Sequence, residues 1–132
     1  SEAASMLMSA LIGTNDEILL PSPCYSLWSN NAYLCGGKAV FYRCDPNNEW
    51  NPDIENIKNL ITEHTKAILI INPNNPTGAV YSKEILLQIA DIARKNHLVL
   101  LADEIYDRLV MDDEEKGQKL LEELSNAQIH VK

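Results

Sequence analysis

Short aliphatic runs alternate along this chain with segments whose apolar positions recur at three and four. The runs are Ile18-Leu19-Leu20, Ala67-Ile68-Leu69-Ile70-Ile71 and Leu98-Val99-Leu100-Leu101-Ala102. Continuous aliphatic character of that length, bounded by turn residues, marks strands buried on both faces. The helical rhythm occupies residues 2–12, closed by Gly13, then 25–35, closed by Gly36-Gly37. It returns on Ile54, Ile57, Leu60 and Ile61, and on Ile85, Leu86, Ile89, Ile92 and Ala93. Asn51-Pro52 reads as the start of the third helix, a capping side chain followed by a residue that needs no N–H. Ser82 reads as the cap of the fourth. Strands are expected at 17–20, stopped by Pro21-Ser22-Pro23, and at 38–42, 67–71 and 98–102. Strand and helix in alternation predict an α/β fold, a mainly parallel sheet flanked by helices.

The last twenty residues differ in kind. Asp112-Asp113-Glu114-Glu115-Lys116-Gly117 is a polar break, followed by a predicted helix over 118–126 and the beginning of a strand over 128–132. The expected division is therefore residues 1–113 as one unit and 114–132 as a linker, helix and strand without assignment. The abrupt start in amphipathic helix, Ser1 to Met8, reads as a cut within a larger protein.

Composition narrows the function classes. A chain of 132 residues, 45% hydrophobic and 23% charged, is sufficient for one domain with a real core. A net charge of -8 disfavours nucleic acid and anionic membrane as partners. Cys24, Cys35 and Cys44 are odd in number and lack C-x-x-C spacing, which favours free thiols in a reducing compartment over a disulfide framework or zinc site. No apolar run approaches membrane-spanning length, so a cytoplasmic protein is expected. His64, His97 and His130 lack metal-ligand spacing.

Two strand ends carry the candidate chemistry. Asp103 follows five apolar residues, and a carboxylate left buried there calls for a cationic or hydrogen-bonding partner. A helix cap, a structural pair and a protonated heterocycle all answer that need. An aliphatic strand ending in Asp-Glu also describes a Walker B segment, but no G-x-x-x-x-G-K-[ST] accompanies it; Gly78-Ala79-Val80-Tyr81-Ser82-Lys83 has the wrong order. Asn75 lies in Asn72-Pro73-Asn74-Asn75-Pro76-Thr77-Gly78, where two prolines stiffen the loop and Gly78 permits a sharp turn. Tyr106 follows Asp103 by three residues. Tyr25 and Trp28 offer aromatic faces, with packing against the sheet edge the expected role of Trp28.

Pro21-Ser22-Pro23-Cys24-Tyr25, the Asn72–Gly78 loop and Ala102-Asp103-Glu104-Ile105-Tyr106-Asp107 together resemble the fold-type I pyridoxal phosphate (PLP) aminotransferases of class I and II, in the alanine- and aspartate-transaminase-like branch. The likeness covers residues 1–113. It implies that Asp103 pairs with the pyridinium nitrogen, that Asn75 and Tyr106 hydrogen-bond the ring's phenolic oxygen, and that Tyr25 stacks on the ring. Ser1, Glu2 and Ala3 resemble the remnant of the turn that holds the cofactor phosphate at a helix N-terminus. It also implies amino acid and 2-oxo acid substrates and a homodimeric parent. Two family features have no counterpart. None of the lysines stands in a Ser-Lys pair downstream of Asp-x-x-Tyr, and Arg43, Arg94 and Arg108 do not match the arginine that grips the substrate carboxylate. With the Schiff-base lysine absent, the chain is expected to be catalytically inactive alone and to bind PLP weakly if at all. A β-elimination lyase of the same fold and a non-catalytic α/β module are the alternatives.

Overall fold

The computed structural model describes residues 2–103 and 129–131. In chain order the elements are α1 (Glu2–Leu11), β1 (Glu17–Ser22), α2 (Ser26–Leu34), β2 (Lys38–Asp45), a 3₁₀ turn (Pro46–Asn48), β3 (Asn51–Pro52), α3 (Ile54–Leu60), β4 (Thr65–Ile71), α4 (Lys83–Lys95), β5 (Val99–Asp103) and β6 (Ile129–Val131). They build one six-stranded sheet in the order β3-β2-β1-β4-β5-β6. Every pairing is parallel except the short antiparallel contact of β3 with β2. The mainly parallel α/β architecture anticipated from the aliphatic runs is present. The helix expected over 118–126 lies outside the described residues, whereas the terminal strand forms and pairs with β5.

Helices cover both faces. On one face β1, β4 and β5 bury Ile18, Leu20, Ala67, Leu69, Ile71 and Leu101 against Ala4, Met8, Trp28 and Ala32 of α1 and α2. On the other, Leu19, Ile68, Ile70 and Leu100 meet Ile57 of α3 and Leu86, Ile89 and Ile92 of α4. The strands are aliphatic without alternation because each side chain, whichever face it takes, finds a helix.

Several boundaries differ from the sequence expectation, β2 running on to Asp45 and β4 starting at Thr65 among them. The third helix is capped by Asp53, whose carboxylate accepts from the Asn56 N–H at 3.0 Å, and not by Asn51. Asn51-Pro52 instead pairs with Cys44 and Asp45. A local Asn-Pro signal could not foresee that the neighbouring strand offers this pair its ladder. Strand β1 also runs through Pro21 to Ser22, because its partner β2 continues to Asp45 and carries it along. Ser82 does cap α4, accepting from the Ile85 N–H at 3.3 Å. Among the described residues no helix is long and apolar enough to cross a membrane.

Gly37, at the entry to β2, is required by close approach. A Cβ there would stand 2.3 Å from Ile12 Cγ2 and 2.9 Å from the Asp16 carbonyl oxygen. The side chain could give way but the backbone oxygen cannot without moving β1. Gly37→Ala is expected to destabilise the fold by about 1–3 kcal/mol, the usual cost of overpacking. Urea unfolding would register a lower midpoint at unchanged slope; an unchanged midpoint would contradict the crowding.

Candidate functional site

The sheet order places the site. From β1 the chain moves outward to β2 and β3, then returns through α3 to β4 on the opposite side of β1. The direction of winding reverses between β1 and β4, and a crevice opens beyond the carboxyl ends of strands at such a point. The segment after β1 begins Pro23-Cys24-Tyr25, and the segment after β4 is Asn72–Gly78. The two loops singled out from the sequence are thus the two walls of the switch point, with Asp103 on the next strand, opposite Ile71 in register.

Asp103 is buried, with 7% of its surface exposed. Trp28, itself 1% exposed, donates its indole N–H to Asp103 Oδ2 at 2.9 Å. This residue was expected to be packing alone. It does pack, under α2 against the sheet, but its nitrogen also reaches across β1 and β4 to the carboxylate, a role visible only once α2 lies over the sheet. The pair spans 75 positions of sequence, and nothing in either local pattern announces it.

The Asn-Pro loop uses its asparagines unequally. Asn72 ties the loop at both ends: its N–H donates to the Asp103 carbonyl at 3.0 Å, and its Oδ1 accepts from the Tyr81 N–H at 2.9 Å. Asn74 folds the middle, its Oδ1 accepting from Thr77 Oγ1 at 3.0 Å and its carbonyl from the Gly78 N–H at 2.7 Å. Gly78 takes φ +73, which a side chain would disfavour. The Asn74 amide nitrogen is buried and faces the Tyr81 hydroxyl without completing a hydrogen bond of good geometry. Asn75, half-buried, makes no side-chain hydrogen bond among the described residues. Its amide is the more exposed of the two that the loop's own network leaves unconsumed, the Asn74 nitrogen being buried.

Tyr25 occupies the N-cap position of α2 and is 52% exposed, so its ring stands at the surface of the crevice region. Glu2 and Ala3 form the exposed first turn of α1, and α1 feeds β1 from the sheet's opposite end, so its N-terminus points toward the same edge as the loops. Ser1 and Tyr106 lie outside the described residues.

Behind the walls lies a set of neutral polar groups. Tyr42 is fully buried and donates its hydroxyl to the Leu69 carbonyl at 2.8 Å. Burial drives its pKa well above the ordinary value, so the O–H remains a donor. Cys44 lies 3.9 Å from the Tyr81 hydroxyl, and burial raises the pKa of both groups. Burial, with Cys44 nearby, pushes the Cys24 thiol up to about 11. Thiols so raised are poor nucleophiles at neutral pH. All three cysteines are free, and no metal-ligating cluster occurs among the described residues.

The family model for aminotransferase class I and II matches residues 1–131. The chain belongs to the class I and II aminotransferases. It is 54% identical over 113 residues to an alanine aminotransferase of Mycobacterium tuberculosis, covering 86% of this chain and 26% of that protein. It is 51% identical over 115 residues to the glutamate-pyruvate aminotransferase AlaA of Escherichia coli, covering 87% and 28%. Among solved structures, an Escherichia coli aminotransferase superposes with a TM-score of 0.83 at 51% identity over 85% of this chain and 28% of that one. An aspartate aminotransferase of Thermus thermophilus with maleate gives 0.83 at 35% identity over 86% and 30%. The chain thus spans about a quarter of the length of the curated aminotransferases it matches, and its sheet is that of their fold-type I large domain.

Proposed function

We propose that this chain is the cofactor-cradling part of a PLP-dependent aminotransferase that exchanges an amino group between an amino acid and a 2-oxo acid. The observation that carries the reading is the buried Asp103 carboxylate at the end of β5, held by the Trp28 indole N–H at the edge of the switch-point crevice. The donor set fits the group. Asp103 would hold a protonated ring nitrogen through a charge-assisted hydrogen bond to its buried carboxylate. Asn75 offers an unconsumed amide to the ring oxygen, assisted by Tyr106, and Tyr25 offers a face for stacking. The N-terminal turn of α1, with Ser1, Glu2 and Ala3, would hold the phosphate through backbone N–H groups and the helix dipole. When bound, PLP supplies an electron sink for the carbon that carries the amino group.

The chain's own part is binding and electronic tuning. Asp103 would keep positive charge on the ring, Trp28 holds Asp103 in orientation, and the stiffened loop would keep Asn75 in one place. Neither a Schiff-base lysine nor a carboxylate-gripping arginine has a counterpart among these 132 residues. The names of the relatives favour alanine or glutamate as amino donor and pyruvate as acceptor. A soluble cytoplasmic enzyme is in keeping with the composition.

The test has two arms. The complete polypeptide that carries these residues is expected to transfer the amino group of glutamate to pyruvate in a PLP-dependent manner. The 132-residue chain, mixed with PLP and reduced with borohydride, is expected to show no stoichiometric lysine adduct by mass spectrometry. A near-stoichiometric adduct would overturn the division of labour, and a complete polypeptide without transaminase activity would overturn the function.

A further inference from the structure

The ladder between β1 and β4 stops early. Their last paired residues are Leu19 and Ile68, whereas β1 stays paired with β2 to Ser22–Arg43 and β4 with β5 to Ile71–Asp103. For three residues the sheet is closed on both outer sides and unpaired down the middle. The cause is in the sequence. One further step in register would set Leu20 opposite Leu69, and a parallel ladder then takes the donor for the Leu69 carbonyl from residue 21. Residue 21 is proline, which has no N–H. A buried carbonyl without a donor is costly, and Leu69 is fully buried. Its partner is the Tyr42 hydroxyl, which comes from β2 beyond β1.

We infer that Pro21 and Tyr42 form a strut that holds β1 and β4 apart at the crevice, making Tyr42 a positioning residue for the cofactor. Tyr42 touches no reacting atom; it acts through the Leu69 carbonyl. The missing N–H prevents the strands from zipping to their ends, and the phenol satisfies the carbonyl that zipping would have satisfied. The loops bearing Tyr25 and Asn75 therefore follow strand ends that are not hydrogen-bonded to each other. This rests on the PLP reading above.

The experiment is a double-mutant cycle of Tyr42→Phe and Pro21→Ala in the complete polypeptide, read by urea unfolding of the apoprotein and by absorbance titration with PLP. Tyr42→Phe removes the donor and is expected to lower both stability and PLP affinity, the affinity by about 3- to 10-fold, the equivalent of one hydrogen bond. Adding Pro21→Ala restores an N–H to the ladder. It is expected to recover stability in the Tyr42→Phe background but to give no gain in the parent, where Tyr42 already satisfies the Leu69 carbonyl, and not to recover PLP affinity, because the strands then close. A merely structural tyrosine would have both properties recover together. Independent, additive effects of the two substitutions on stability would overturn the strut, and unchanged affinity in Tyr42→Phe would overturn its positioning role. The unfolding arm needs no cofactor, so failure of the parent to bind PLP would refute the functional reading and leave the stability coupling to be judged separately.

Discussion

Asp103→Ala is expected to lower PLP affinity by about 10- to 100-fold and the turnover of the complete enzyme by about 100-fold or more. The first figure is the worth of a charge-assisted hydrogen bond to a desolvated partner, about 1.5–3 kcal/mol. The second is what removal of a preorganised electrostatic group commonly does to the chemical step. Asp103 is suited to both, since it is 7% exposed and Trp28 fixes one of its oxygens. Asp103→Asn separates the contributions. It preserves an oxygen for the indole N–H and so should leave the fold intact, but it cannot carry the charge that, on the proposed reading, would keep the ring nitrogen protonated. Absorbance titration and steady-state kinetics on both variants check this. Parental PLP affinity in Asp103→Ala would sink the cofactor reading and favour a non-catalytic α/β module.

Trp28→Ala should be the most destabilising single change among the site residues, by about 3–5 kcal/mol, because it empties the space of a 1%-exposed indole in the core beneath α2. Trp28→Phe is the more instructive variant. It keeps most of the buried ring but removes the donor to Asp103, and should cost about 1–3 kcal/mol. If the indole orients the carboxylate, PLP affinity will fall in Trp28→Phe by more than in a core variant of equal stability, such as one at Ile89 on the opposite face. Chemical denaturation gives the stability and PLP titration the affinity. Affinity retained in Trp28→Phe would return the residue to a packing role.

How much of this was open to inspection in the sequence varies with the range of the interaction. The strands at 67–71 and 98–102 could be read because burial on both faces leaves an uninterrupted aliphatic signature. Ser82 could be read because capping is a contact between neighbours. The Asn51-Pro52 expectation misplaced a helix start by two residues, since the competing partner was β2, distant in kind from any local propensity. Asn75 could be singled out from its loop, but the reason it is the available asparagine required the bonds that occupy Asn72 and Asn74.

The sequence by itself determined the α/β alternation, the two polar strand ends and, through three motifs in order, the aminotransferase family. Local periodicity and short-range chemistry suffice for these, because each is written within a few consecutive residues. Tertiary structure alone decided that β1 and β4 are neighbours at the switch point, that Trp28 bonds Asp103, and that Tyr42 supplies what Pro21 withholds from Leu69. Each joins residues tens of positions apart, and the free energy that selects it comes from satisfying buried polar groups, a requirement that arises only when the sheet has formed.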